Sequence, residues 1–338
     1  IAGNDSLIWC ATNGGILKFN TLSLRFQKFT NTDGLSSNDV TAIAVDPQHR
    51  IWAADRHGVL NIYDQETKKW FIKNHYRNRI IHQIYPYGDS LFIAFNEGVS
   101  LFVPNAKDPQ GWEVKETYYI GNSREIFIDR DILWVVSRGR LLKARLDFPN
   151  LQAPSAWTEL RPGTELPGTR VNTIFQSQNL YYLGTDKGIV PFDGQNAGVA
   201  ELDEEVVSIG CWQQQLVALT PRNLFFRQAD GTWNIVASGD AAMSSLVVDG
   251  ENKLWTTAAN NGLALLNEKD RQFVFLKSNG PLDNKFNAMT FDLIGNLWAC
   301  SANGLSFFEG KGWQIFDRKF GLQINSGIRA VQIDKRKR

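Results

Sequence analysis

The densest group of chemically versatile side chains is the run Asn74-His75-Tyr76-Arg77-Asn78-Arg79, followed shortly by His82. It sets an aromatic ring among cations and amides. Such a set suits a sugar by stacking, and a carboxylate or anionic polymer by forked hydrogen bonds. The four histidines are His49, His57, His75 and His82. A metal held by His75 and His82 would need a carboxylate partner, and no metal site or cofactor is expected. The run Asp203-Glu204-Glu205 reads as a solvated charge cluster. There is no Gly-x-Ser-x-Gly elbow, no His-Glu-x-x-His and no phosphate loop, so the chain is not expected to be an enzyme.

Positioning these residues is the task of a repeat. An aromatic or bulky anchor recurs at Trp9, Trp52, Phe92, Trp134, Tyr182, Leu216, Trp255 and Trp298, with spacings from 34 to 48 residues. A glycine follows most anchors six residues later, as at Gly15, Gly58, Gly98, Gly188 and Gly304. Each copy reads as four short strands rich in Val, Ile, Phe, Trp and Tyr, bounded by Gly, Asn, Asp and Pro. Four strands in about 42 residues is the signature of a β-propeller. The expected fold is therefore all-β. Its anchors fill the space between blades, and the turn aspartates and glycines are scaffold.

The repeat also sorts the cations. At the glycine turns stand Arg56 with His57, Arg138 with Arg140, and Arg222. Turn geometry explains Asn13, Asn261 and Asn303, since Asn tolerates positive φ, but it does not ask for these arginines. One position into the inner strand of each copy the residues are Thr41, His82, Arg124, Asn172, Val207, Ser244, Asn287 and Arg329. Seven of these eight are polar, which predicts a polar ring near the channel mouth, explained first by wetting of a water-filled channel. Arg124 and Arg329 make an anion its natural guest. The candidate ligand-binding residues are thus Arg56, His57, His75, Tyr76, Arg77, Arg79, His82, Arg124, Arg138, Arg140, Arg222, Asn287 and Arg329.

The chain opens at the turn before a second strand, so the first copy lacks its own first strand. Gly327-Ile-Arg-Ala-Val-Gln-Ile-Asp334 reads as a first strand with no second after it. Joined, they complete one blade, which predicts a single domain over residues 1–338. That ring has eight blades and is closed by 327–334. The alternatives are seven blades, or a further blade begun at Ile328–Asp334.

Net charge is +1, which argues against nucleic acid as a partner. No apolar stretch approaches the length of a transmembrane helix. The first residue is Ile, no signal peptide is present, and the chain reads as a mature or trimmed portion. Cys10, Cys211 and Cys300 are odd in number and widely spaced, as suits buried thiols rather than a disulfide framework.

The run Asp33-Gly-Leu-Ser-Ser-Asn-Asp-Val40, then Ile43, Asp46, Trp52 and His57-Gly58-Val-Leu, resembles the two-component regulator propeller repeat. The same holds for Pro281-Leu-Asp-Asn-Lys-Phe286, Asp292, Gly295-Asn-Leu-Trp298 and Asn303-Gly-Leu305. That family includes extracytoplasmic sensor regions of bacterial histidine kinases, many of which sense glycans. It also includes secreted or surface proteins, one of them a component of the type IX secretion system. The resemblance implies a binding propeller in the bacterial periplasm or at the cell surface. Family sensors usually join two seven-bladed rings to a kinase, whereas this chain shows eight repeats and no kinase. The first expectation is a non-catalytic module that binds a partner protein or a glycan or anionic ligand. The second is a structural subunit of a surface or membrane-associated complex, favoured by the insertion Asp147–Arg170 with its Trp157. The third, a propeller lyase, would rest on His75, Tyr76, Arg77 and His82.

Overall fold

The computed structural model describes residues 1–338 except 5, 24, 106, 108–110, 162, 164, 167, 169, 240, 259–261, 277–279, 284, 311–312, 319–320, 324–326 and 333–338. Asn260, Asn261 and residues 333–334 of the expected closing strand lie outside the described residues. Two compact units are formed, Ile1–Leu276 and Lys277–Arg338.

In the second repeat Val40–Val45, Ile51–Asp55, Leu60–Asp64 and Lys69–Lys73 pair antiparallel in chain order. Every residue of Ile51–Asp55 is buried, because an inner strand of a blade is covered on both faces. Lys69–Lys73, at the rim, is largely exposed. Asp46 closes the first turn: its Oδ1 accepts the backbone N–H of Gln48 and Arg50 at 3.0 and 2.8 Å. Gly58 closes the second at φ 78°, where a Cβ would stand 1.8 Å from the Tyr76 carbonyl oxygen. Only glycine fits there.

The first unit holds seven such sheets. The fifth has three strands, Val171–Ser177, Leu180–Thr185 and Gly188–Phe192. Its rim is lined by irregular chain, tied where Gly198 and Glu201 donate backbone N–H groups to Pro191 and Ile189, both at 2.8 Å. The rims of the sixth and seventh sheets touch through one parallel pairing, Ser238 with Gln272. Two single 3₁₀ turns, Asn31–Asp33 and Pro154–Ala156, are described in full, and among the described residues no helix is long and apolar enough to cross a membrane.

Each neighbouring pair of sheets in this unit encloses one apolar cluster. Trp9 packs with Val40, Ile43 and Ile51 of the second blade. Trp52 meets Ile81 and Phe102, Phe92 meets Ile126 and Leu133, and Trp134 meets Ile174 and Tyr181. Tyr182 meets Ile209, and Trp212 with Val217 meets Met243 and Leu254. The seventh cluster returns to the start: Trp255 and Leu263 pack on Ile8, Cys10 and Phe19 of the first blade. Phe19 meets the Trp255 ring edge-on at 5.2 Å. Residues 1–276 therefore close a ring of seven blades, the alternative to eight. Full burial of each such aromatic is worth about 3 kcal/mol.

Three expectations change here. The first blade has its own inner strand, Ala2–Asn4, paired with Leu7–Trp9, so the place reserved for 327–334 is already filled. The sixth anchor is Val217, not Leu216. The Thr220 hydroxyl donates to the Asn223 carbonyl just as Thr185 does to Gly188, which fixes the register. A one-residue slip sends Leu216 to the opposite face, into the preceding cluster. The expected insertion Asp147–Arg170 packs back on its own unit over its described stretch 151–160. Trp157 lies against Tyr118 at 5.9 Å, its indole N–H bonds the Leu151 carbonyl, and Thr158–Leu160 is simply the fourth strand of the fourth blade.

The second unit holds the eighth repeat as one sheet, Phe286–Phe291, Leu297–Ser301, Leu305–Phe308 and Trp313–Phe316. Residues 327–332 form no strand. Ile328 donates its N–H to Ser301 at 3.0 Å and its carbonyl accepts from Asn287 Nδ2 at 2.7 Å. Val206 bonds Thr185 and Asn172 in the same way, where the sixth blade begins against the fifth. Ile328 thus docks as the start of a next blade would. The cysteines are free, with Cys10 and Cys300 buried and Cys211 exposed.

Candidate functional site

The polar ring seen in the sequence has a backbone cause. In six repeats the pairing of first and second strands slips by one residue, at Thr41, His82, Arg124, Asn172, Ser244 and Asn287. Each is the extra residue of a β-bulge, which breaks the strict alternation of a strand and re-aims the side chain. Val207 stands just before its strand, Ser208–Trp212.

Four of the six bulge residues are occupied with local bonds. Thr41 and Ser244 donate their hydroxyls to carbonyls of their own second strands. Asn172 and Asn287 donate to Val206 and Ile328. His82 and Arg124 differ. His82 lies beside Asn122, yet among the described residues neither His82 Nε2 nor Asn122 Oδ1, both buried, has a partner of proper hydrogen-bond geometry. Burial and the neighbouring Arg124 hold the His82 imidazole below its ordinary range. Among the described residues Arg124 has no carboxylate partner.

A cleft of about 430 Å³ opens beside Arg124, between the fourth and fifth blades. That is the size of an ordinary small-ligand site. Val136, Val171 and Val207 give it an apolar floor. Arg124, Arg138 and Arg170 bring cations, and Asn122, Asn172 and Glu205 bring neutral and anionic polar groups. Arg170 is already engaged, pairing with Glu205 and donating to Asn172 Oδ1 at 2.9 Å. Arg138, like Arg124, has no carboxylate partner among the described residues.

Arg138 is held in an unusual way. It sits at φ 52°, followed by Gly139 at φ 74°, a tight hairpin turn that ordinarily takes Asn-Gly. An arginine in the left-handed region costs about 1 kcal/mol. Its guanidinium lies over Gly121, where a Cβ would come within 2.4 Å of Arg138 Nε. The bare glycine is what leaves room for it.

The remaining sequence candidates disperse. Tyr76 is fully buried against Phe95 and Phe102, so it is core rather than ligand surface, and burial pushes its phenol up. Arg79 is tied to Glu97 at 3.3 Å and covers the Phe95 ring, and Arg140 is tied to Glu159 at 2.8 Å. Arg56 pairs with Asp39, the residue before the first strand of its own blade. His75 rests edge-on against Phe102 at 5.1 Å, its imidazole lowered by burial and by Lys73. His57, Arg77 and Arg222 are exposed. Asn287 and the exposed Arg329 belong to the second unit, where Asn287 is spent on Ile328.

Sequence reasoning missed Asn122, Arg170 and Glu205. Asn122 and Arg170 occupy one register, the residue before the first strand, so the repeat held a signal for both. Glu205 was hidden in a run read as solvated. It bonds Arg170 and Asn172, while Glu204 accepts from Asn223 Nδ2 at 3.2 Å. No group of three metal-ligating side chains occurs among the described residues.

Residues 34–57 match the model of the two component regulator propeller. No curated protein matches the chain. Among solved structures it is similar to PorZ, an essential bacterial surface component of the type-IX secretion system of Porphyromonas gingivalis. The TM-score is 0.68 at 18% identity, over 94% of this chain and 44% of that one. The chain thus spans less than half the length of that relative. The computationally designed Ika8 protein is similar at a TM-score of 0.50 and 12% identity, over 88% of this chain and 91% of that one. At these identities the likeness concerns the fold. The chain is a β-propeller, and its residues 34–57 match the two component regulator propeller repeat.

Proposed function

We propose that this propeller is a non-catalytic binding module, working in the periplasm or at the cell surface, whose ligand presents an anionic group to the cleft between the fourth and fifth blades. The observation that carries this is the pair Arg124 and Arg138, two guanidinium groups on one cleft that have no carboxylate partners among the described residues. A guanidinium offers a planar fork of donors that matches a carboxylate or phosphate. The apolar floor and the amides of Asn122 and Asn172 suit the uncharged part of a glycan or peptide. Catalysis finds less support, because the cleft's one carboxylate, Glu205, is neutralised by Arg170. The site outside the cytoplasm is inferred from the repeat and from the likeness to a surface component.

A screen of neutral and acidic glycans and simple anions by thermal shift tests this reading. Acidic ligands should raise the melting temperature, and Arg124→Ala and Arg138→Ala should abolish the rise. A second reading, a structural subunit of a surface assembly, is favoured by the breadth of the PorZ likeness. It gains if no ligand shifts the protein and the chain co-purifies with a large complex.

A further inference from the structure

Beneath the cleft, Glu125 ties the inner strands of the fourth and fifth blades at the end next to the bulges, while Asp129 and Gln176 tie them at the far end. Glu125 Oε1 accepts the Thr173 hydroxyl at 2.9 Å and the Ile174 N–H at 3.3 Å. Glu125 directly follows Arg124, and Thr173 directly follows Asn172, so the tie lies next to both bulge residues that wall the cleft. One blade earlier the same seam is made by a neutral amide: Gln83 Oε1 accepts the Ile126 N–H at 2.5 Å. A carboxyl therefore stands where the third blade uses an uncharged acceptor.

We propose that Glu125 is the positioning residue of the anion cleft: while neutral it clamps the fourth and fifth blades and holds Arg124 and Asn172 at their spacing, and on ionisation it loosens that clamp and weakens anion binding. The inference rests on the binding reading above.

A buried carboxylate without a cation partner is costly, and the relief open to this seam is to admit water between the strands. Burial pushes the Glu125 carboxyl up to about 7, against the opposing effect of its bonds to Thr173 and Ile174. The other charged or titratable groups on the packed elements are few. His82 lies on the third blade, Arg124 and Asp129 on Glu125's own strand, and Arg170 with Glu205 on the fifth-blade side. Asp129 is held by Gln176 and Tyr181, and the Arg170 pair is internally neutral. His82 is the one competitor for a response to pH, so its variant belongs in the test.

Sulfate is the probe, since it stays a dianion throughout the range. Its affinity is measured by calorimetry from pH 5.5 to 8.5 on the whole chain, as wild type, Glu125→Gln and His82→Asn, with Arg124→Ala as the control for the cleft itself. Wild type and His82→Asn should both lose about tenfold in affinity as pH rises through 7. Glu125→Gln, which copies Gln83, should bind at high pH as wild type does at low pH. Exchange of the Ile174 amide should speed above pH 7 in wild type, beyond the intrinsic rise with pH, and not in Glu125→Gln. If wild type, Glu125→Gln and His82→Asn bind with the same pH profile, the positioning role is overturned while the cleft stands. If the step vanishes only in His82→Asn, the role passes to His82. If no sulfate binding is lost in Arg124→Ala, the cleft reading fails and this proposal with it.

Discussion

The indole N–H of Trp52 donates to Asp46 Oδ2 at 2.8 Å. The same bond recurs between Trp255 and Asp249 at 2.8 Å, and in longer form between Trp298 and Asp292 at 3.4 Å. In each case the other carboxylate oxygen caps the turn backbone, as Asp249 Oδ1 does for Glu251 and Lys253. One aspartate thus fixes both a turn and the anchor that fills the space between blades.

Removing it should cost more than a surface charge would. Asp46→Ala leaves the buried Trp52 N–H unpaired, deletes two turn bonds and frees Arg50, which Asp46 holds at 2.6 Å. A loss of about 2–4 kcal/mol is expected. Asp46→Asn keeps one acceptor and should lose less. Denaturant unfolding followed by tryptophan fluorescence measures both.

The arginines divide by their partners. Arg124→Ala and Arg138→Ala should each weaken binding of an acidic ligand at least about tenfold, the scale of one charge-assisted hydrogen bond, with little change in melting temperature. Arg79→Ala and Arg140→Ala, whose side chains serve Glu97 and Glu159, should leave binding unchanged. Titration of the four variants against one ligand distinguishes site from scaffold. Equal losses in all four would point to a general electrostatic effect instead.

That division explains what the sequence could not show. Anchors, turn aspartates and the polar bulge position repeat, so each copy corroborates the others. Pairing does not repeat: Arg140 meets Glu159 from a fourth strand of unusual position, and Arg170 meets Glu205 from the next blade's lead-in. Tyr76 looked like part of a polar loop because its neighbours are polar, but its ring turns inward onto Phe95 and Phe102. Ring closure was equally hidden. It depends on Trp255 fitting Phe19 and Ile8 in shape, and no periodicity encodes that fit.

Gly58 offers a test of the scaffold alone. A methyl group there would overlap the backbone oxygens of Tyr76 and Arg79, at 1.8 and 2.5 Å, and φ is 78°. Backbone cannot swing aside as a side chain can. Gly58→Ala should destabilise by more than the roughly 1 kcal/mol of a left-handed alanine. Gly295, with nothing near its Cβ at φ 87°, should show only that smaller cost when changed to Ala. Melting temperatures of the two variants give the comparison.

Glu125 should also leave its mark on stability without any ligand. Its carboxyl titrates at about 7 in the folded chain and near 4.5 when unfolded. Between these values the unfolded chain has released the proton that the folded chain keeps, so rising pH favours unfolding. The stabilisation is complete below pH 4.5, falls across the interval and is gone above 7. The carboxylates held low by their partners, such as Glu201 beside Arg227, act in the opposite sense on acidification. Comparing wild type with Glu125→Gln cancels them. The variant should match wild type near pH 4.5 and exceed it above pH 7, by on the order of 2 kcal/mol. Urea unfolding at a series of pH values measures the difference, and parallel curves would place Glu125 in contact with water.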